Sequence, residues 1–572
     1  MTLHDNWRCM TIETVQTSPE PGKALPLILQ RVGGIAPYCL WLLLTIGAFR
    51  WRPPTAPVEL ETLAAAWHMW TDGLWVPLRN NLPAPQMPPL PLWLIIGGWK
   101  LFDIVTWWPR LLSPVAGLVN IWLIGRIALI LWPHRNSTAH FSRILLIGLG
   151  GFAIMLTMIA PEPLGQPFIA GGFAITVRLW LTPLPLFQRL LSLLCLALMQ
   201  IVIILTNGWA YTLTLPLSLL LLPLLDRTTQ VNWRQWASLL IITLLPPLAA
   251  MLVWLSQVDA LDQVFRFGNG WLDPATEASR REPWSLLFIP LMLYPWLWWR
   301  TLWRASQRSW QGPIGIGLRL STAYLIAAVI AGLLSGWQLQ GLLAVSTPAC
   351  LIAARLLATQ QIKSRDFHAI IPSFMALMTG LIFFLMNIIP IAHLDAVWRS
   401  VFGSPLPIWL GGIGLTSGLI LLTLGYVLAQ ISPYHQLLRT LQVALLPSLL
   451  LTCLNIEFPG SLAQFFDLTP VATRLEALQE AGQPIAIYGK YRGEFDYQGR
   501  LAQAPDVVHT PQQAWIWADR HPGGVILTYF DGSPIHLPAL PIYRGVARDH
   551  WVAIWPAIAV SQSDGKILDS SF

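Results

Sequence analysis

Charge is what this sequence has least of. Asp, Glu, Lys and Arg make up 11% of its 572 residues, where a soluble chain of this size carries about a quarter. So few charges cannot cover a water-facing surface, which excludes an ordinary soluble globular protein. Cysteine is also sparse. Cys9, Cys39, Cys195, Cys350 and Cys453 are scattered, mostly in apolar runs, and none stands at a metal-like or redox-like spacing. They read as packing residues. A cleavable signal is missing too: the polar start, up to about Arg31, runs into an apolar stretch over 35–49 that has no small-residue cleavage site.

Apolar residues are plentiful. They reach 55% of the chain, with 31 Trp and 47 Pro. Trp settles at bilayer interfaces, and Pro is tolerated in packed spans. The fold class that follows is mainly α, a polytopic transmembrane protein with the lipid bilayer as its first partner. The net charge of +7 is mostly Arg. In this setting it reads as a set of orientation signals and not as a nucleic-acid surface.

Apolar segments of ~20 residues fall near 35–50, 110–132, 143–160, 167–183, 189–206, 209–225, 236–255, 284–301, 315–335, 341–359, 369–391, 405–430 and 434–455. These predict about thirteen spans, with the termini on opposite sides. Arg135, Arg143, Arg227, Arg234, Arg300, Arg304, Arg308, Lys363, Arg365 and Arg439 fall in or beside alternate loops, which the positive-inside rule makes cytoplasmic. The expected layout is a cytoplasmic segment over 1–34, a transmembrane domain over 35–457 with outer loops 51–109 and 256–283, and an outer domain over 458–572. The short run 89–103, broken by Pro and Gly, reads as a helix lying on the membrane surface.

The last hundred or so residues change character. Strand-like runs, PIAIYG (484–489) and GGVILTYF (523–530), alternate with helix-like TRLEALQEAG (473–482) and PQQAWIWADRH (511–521). This alternation predicts a small α/β domain. It carries no GxGxxG, P-loop or CxxC motif, so it looks unpromising as a catalytic unit.

Several collinear motifs resemble the GT-C glycosyltransferases, specifically the set like the aminoarabinose transferases and protein O-mannosyltransferases. They are Gly73, Trp75, Val76 and Pro77; Pro88, Pro89, Leu90 and Trp93; and Arg110, Leu111, Ser113 and Gly117. LTNGWAYTLTLPL (205–217), REPWSLLFIPLMLYPW (281–296), SGWQL (335–339) before Pro348, and Ile487, Tyr488, Gly489 and Tyr491 continue the series. The resemblance implies transfer of a sugar from a polyprenyl-phosphate donor to an envelope glycolipid, glycan or protein. It places the reaction on the outer face of a bacterial inner membrane, with the amino terminus cytoplasmic and the last domain periplasmic.

Such chemistry needs a carboxylate as general base, cations on the leaving phosphate and a greasy groove for the tail. The sequence departs from the family at those points. Val58 stands at the Asp usually taken as the base, beside Glu59, and Glu61 and Thr62 replace Arg and Tyr. Gln86 and Met87 replace Glu-Lys, Asn207 replaces Lys, and Gln338 replaces another Lys. The catalytic candidates are therefore Glu59 and Glu61, although both also suit the acid-favouring start of a helix.

Donor-phosphate candidates are Arg266, Arg280 and Arg281, unusual on an outer face, together with Arg79, for which snorkelling is the plainer explanation. Trp75, Gln86, Gln338 and Glu162 are the substrate-side candidates. His68 reads as an interfacial histidine, since no second ligand stands at i+4. No cofactor is implied; a divalent cation fits the chemistry, but no ligand cluster is visible. A relative without activity, binding lipid-linked substrates or scaffolding envelope enzymes, is the alternative reading.

Overall fold

The computed structural model describes residues 27–562 apart from 81, 134, 226–232, 268–314, 335–338, 360–369, 403–405, 407–409, 411–413, 432–434, 531–539 and 548–549. The chain is mostly helical. Its first elements are α1 (Leu27–Trp51), α2 (Pro57–Thr71), the strand pair β1 (Leu78–Arg79) and β2 (Leu82–Pro83), α3 (Leu90–Phe102) and α4 (Trp107–Leu131). There follow α5 (Asn136–Ile147), α6 (Gly150–Leu156), α7 (Glu162–Leu181), α8 (Leu186–Asn207), α9 (Trp209–Thr212), α10 (Thr214–Leu225) and α11 (Trp233–Gln257). Later helices are named by their ranges.

Six described helices are long and apolar enough to cross a bilayer: α1, α4, α8, α11, Ile316–Leu334 and one over Gln436–Gly460. The pair α5 and α6 makes a seventh if its 68° bend lies within one span. Thirteen spans were expected. The segment near 284–301 lies outside the described residues, and that near 167–183 overlaps α7. Four more coincide with shorter apolar helices: Trp209–Pro223, Leu343–Ala358, Pro372–Ile388 and Leu415–Gln430. The helices pack through one apolar core that includes Leu44, Ile121, Ile144 and Phe173. Phe173 stacks on Tyr324 at 4.3 Å. Many residues on the outward faces remain exposed and apolar, among them Leu186, Phe187, Leu245 and Val253, as lipid contact requires.

The carboxy-terminal region is a five-stranded sheet in the order β4-β3-β5-β7-β6. Its strands are β3 (Ile485–Tyr488), β4 (Asp506–Val508), β5 (Val525–Phe530), β6 (Tyr543–Ala547) and β7 (His550–Pro556). β3 runs parallel to β4 and β5, and β7 is antiparallel to β5 and β6. The two expected strand runs are β3 and β5. All four residues of β3 are buried, because helices cover both faces. Thr469–Glu480 sets Leu475 against Ile487 and Leu527, while Pro511–Arg520 and Ala557–Gln562 bury Trp517 and Val560 against Ile526 and Trp555. Both helices expected from the 3.6 period are present.

Between bundle and sheet lies the segment 52–106, which answers to both. α2 is buried over ten of its fifteen residues, and α3 packs beside it around Leu63, Trp67, Leu92 and Trp99. The loop leaving β3, residues 489–501, closes over this layer. Ligands of open α/β sheets sit beyond the carboxyl ends of parallel strands; here that end grips the helical part instead.

Candidate active site

Arg52, just past α1, and Glu59, in the first turn of α2, meet as a buried ion pair. Proline at the helix start and an acid at the third position are favourable there. The Glu59 carboxylate also accepts from the backbone N–H of Thr55 (2.9 Å), Ala56 (3.0 Å) and Ile159 (3.0 Å). Arg52 donates onward to the Thr157 carbonyl at 2.8 Å. Four donors surround a carboxylate with no solvent exposure, tying α1, α2 and the connection before α7 together.

Glu61 sits two residues on, turned by about 200° around the helix. Its carboxylate pairs with Arg79, and both side chains stay partly open. The β1–β2 hairpin carries Arg79 there, with Asn80 in the left-handed region at φ 49°, a conformation Asn tolerates. Glu162, the first residue of α7, is buried. Burial pushes its carboxyl up to about 7, and the nearby Glu61 charge adds to the rise. The Asn207 side-chain amide donates to the Glu162 carbonyl at 3.2 Å.

One cleft gathers Glu61, Arg79 and His68 from the segment after α1, with Arg492 and Asp496 from the carboxy-terminal loop. His68 Nε2 lies 2.9 Å from Asp496 Oδ2, both buried. The Tyr491 hydroxyl donates to the other Asp496 oxygen, and the Tyr491 hydroxyl is itself held well above its usual pKa, by burial first and then by the Asp496 charge. The Asn80 amide donates to the Tyr491 carbonyl at 3.0 Å. Trp67 Nε1 donates to the Leu501 carbonyl at 2.8 Å. Arg500 lies over the rings of Trp67 and Tyr497, 5.0 and 4.3 Å from their centroids, and Tyr497 stacks flat on Trp99.

Gly493 allows this contact. Its φ is +88°, and a Cβ there would stand 2.4 Å from the Cβ of Ala64 on α2.

Outside that lining, Trp75, Trp93 and Trp254 meet edge to face, with centroids 6.1 and 5.4 Å apart. Trp75 is 67% exposed, and Lys100 stands over its ring at 5.8 Å. Gln86 is half-buried in the turn before α3, where Trp254 donates to the neighbouring Pro85 carbonyl.

The structure therefore pairs Glu61 with Arg79 in the cleft, leaves Glu162 buried at the start of α7, and sets Glu59 apart in its own closed network. Arg280, Arg281 and Gln338 lie outside the described residues. Arg266 ends a short 3-10 turn, Leu261–Arg266, and its side chain is likewise outside the description. Sequence reasoning did not find Arg52, Arg492 or the joining of His68 to Asp496. The only local trace was the spacing of seven between Glu61 and His68, which places them on one helix face. Among the described residues, no three His, Cys, Asp or Glu side chains gather as they would around a metal ion.

No protein-family model matches this sequence, and no curated protein matches it in sequence. Solved structures do resemble it. ArnT from Cupriavidus metallidurans bound to undecaprenyl phosphate superposes with a TM-score of 0.65 at 16% identity, over 92% of this chain and 97% of that one. Its apo state gives 0.65 at 14%, over 92% and 98%. The archaeal oligosaccharyltransferase AglB from Archaeoglobus fulgidus, in complex with an inhibitory peptide and a dolichol-phosphate, gives 0.50 at 8%, over 87% and 69%. The bundle, the layer after the first helix and the terminal sheet together thus make up the fold of the GT-C glycosyltransferases, and this chain is a membrane protein of that fold.

Proposed function

We propose that this protein is a glycosyltransferase that moves a sugar from a polyprenyl-phosphate donor to a hydroxyl of an envelope glycolipid, glycan or protein. The reaction lies on the outer face of a bacterial inner membrane. The observation that carries this reading is the Glu61–Arg79 pair in the cleft after α1, on a fold shared with a protein crystallised with undecaprenyl phosphate.

Glu61 is the general base. Glu59 has the same chemistry, but its oxygens are engaged by four donors, so it has no lone pair to offer a substrate; its role is to lock α2 in place. In the resting site Arg79 neutralises Glu61. A donor phosphate would draw the Arg79 guanidinium to itself, since Arg matches phosphate through two parallel hydrogen bonds. Glu61, released, then accepts the proton of the acceptor hydroxyl as that oxygen attacks the anomeric carbon. The carbon–oxygen bond to phosphate breaks, and the polyprenyl phosphate leaves with the bonding electrons. The Trp75, Trp93 and Trp254 wall receives the start of the polyprenyl tail. Arg280 and Arg281 remain candidates for the phosphate from the outer loop.

The test is sugar transfer into envelope lipid in cells carrying Glu61→Gln. Gln keeps the shape and cannot take the proton, so transfer should fall by ~10²–10⁴. Full transfer by a normally expressed Glu61→Gln protein would falsify the assignment, and the scaffold alternative would then lead.

A further inference from the structure

The last apolar helix of the bundle, Gln436–Glu457, leads into the carboxy-terminal domain through a kinked turn and two helices, Ala463–Phe466 and Thr469–Glu480. Where these two helices meet β6, the edge strand of the sheet, they leave a half-open cavity of about 300 Å³. A water takes about 30 Å³ of liquid, so the space has room for on the order of ten. It also reaches the lower end of the ~300–1,000 Å³ that small-molecule sites occupy. The cavity shares no lining residue with the cleft around Glu61.

Three polar side chains line it: Gln464, Asp467 and Tyr543. Asp467 Oδ1 accepts the Thr469 backbone N–H at 3.0 Å, and its Oδ2 has no protein partner among the described residues. The Gln464 amide and the Tyr543 hydroxyl have no hydrogen-bond partner there either. Gly545 gives the Tyr543 ring its place: a Cβ at 545 would stand 2.8 Å from the hydroxyl oxygen, so the phenol lies along β6 over a position without a side chain. Burial holds this hydroxyl above its usual pKa, which keeps it protonated and able to donate. Val471 and Val546 supply the apolar part of the lining.

Such a lining discriminates between ligand classes. Among the described residues no Lys or Arg lines the cavity, and Asp467 would repel a phosphate. A single carboxylate is too few for a metal ion, which takes several ligands. A purely apolar ligand would cover the carboxylate, the amide and the hydroxyl without partners. A sugar ring answers to every feature. Its hydroxyls donate to the free Asp467 oxygen and exchange hydrogen bonds with Gln464 and Tyr543. Its C–H face suits the electron-rich face of the Tyr543 ring.

We propose that this cavity binds one pyranose unit of a glycan, held by the carboxy-terminal domain where that domain joins the bundle. The site is additional to the transfer reaction given under Proposed function and does not depend on it.

The experiment titrates the purified full-length protein, in a detergent without a sugar headgroup, with the methyl pyranosides of glucose, galactose, mannose and N-acetylglucosamine. Binding is read by saturation-transfer NMR. At least one pyranoside should bind more tightly than sorbitol, an open-chain polyol, and than ethanolamine, a simple ammonium ligand. Asp467→Asn keeps an oxygen for the Thr469 N–H and removes the charge, so affinity for that pyranoside should fall about tenfold or more. Gln464→Ala changes an exposed position and should weaken binding about threefold or more; it decides the matter if Asp467→Asn fails to fold. Unchanged affinity in the folded variants overturns the site and leaves the transferase reading standing. Binding of none of the pyranosides, or tighter binding of ethanolamine, overturns it as well.

Discussion

His68 on α2 and Asp496 of the carboxy-terminal domain meet at 2.9 Å across 428 positions of sequence, both side chains almost wholly buried. Losing one partner strands the other without water. Asp496→Ala or His68→Ala should destabilise the docked domain by roughly 2–4 kcal/mol. Asp496→Asn, which keeps one acceptor, should cost less. Thermal unfolding in detergent, read alongside proteolytic release of the terminal domain, measures this. Equal stability of Asp496→Ala and the native protein would show that the contact does not hold the domain.

Gly493 gives an independent check on the same interface. Alanine there would clash with Ala64 and would adopt a left-handed conformation, which costs a non-glycine residue roughly 1–2 kcal/mol before any clash. Gly493→Ala should therefore loosen the domain, and Gly493→Val should do so further. Protease sensitivity of the loop 489–501 is the readout; native-like resistance in Gly493→Val contradicts the close approach.

The two glutamates of α2 should separate cleanly on mutation. Glu59→Gln places an amide N–H₂ among four donors and leaves Arg52 without its counter-charge, a loss of about 3–5 kcal/mol for a buried pair. Glu61→Gln changes a half-open site and should leave the melting temperature nearly unaltered while transfer collapses. Measuring yield, melting and transfer on both variants decides the matter. A stable Glu59→Gln protein with lost transfer would reverse the two roles.

Glu162 should leave a signature in pH. Its carboxyl is raised by burial to about 7 in the folded protein, from 4.5. The folded state therefore holds a proton that the unfolded chain releases. The stability tied to that proton is complete below about 4.5, declines as pH rises, and is gone above about 7. The span is on the order of 3 kcal/mol. Glu162→Gln has nothing to titrate, so its melting temperature should fall less than the native value between these limits. Parallel curves for the two proteins would place the titration elsewhere.

Orientation in the membrane is open to direct labelling. In a cysteine-free background, Asp519→Cys should react with a membrane-impermeant thiol reagent in intact spheroplasts, and Arg135→Cys should not. Both positions are exposed. The opposite pattern would turn the molecule over and place the cleft on the cytoplasmic side.

Much of this architecture was legible in order of sequence because it is locally encoded. Membrane character follows from scarce charge, and the strands β3 and β5 and the helices Thr469–Glu480 and Pro511–Arg520 follow from periodicities of two and of 3.6. That the run 89–103 falls short of a span was also legible locally: α3 is a thirteen-residue helix, too short for a span of ~20 residues. The collinear motifs pointed to the GT-C fold although no single one is specific.

The site is different in kind. Glu59 and Glu61 are near neighbours in the chain and indistinguishable by residue type, yet one is sealed and the other lines a cleft. That outcome depends on Arg52, on the backbone N–H of Ile159 a hundred positions away, and on the hairpin that delivers Arg79. Likewise, nothing near His68 announces Asp496, and nothing near Arg492 announces Arg79. Helical and strand periods report which face of an element is apolar. Which charged groups share a buried or half-buried space is decided by packing between distant segments, where removal from water makes a partner obligatory, and only the assembled tertiary structure determines who that partner is.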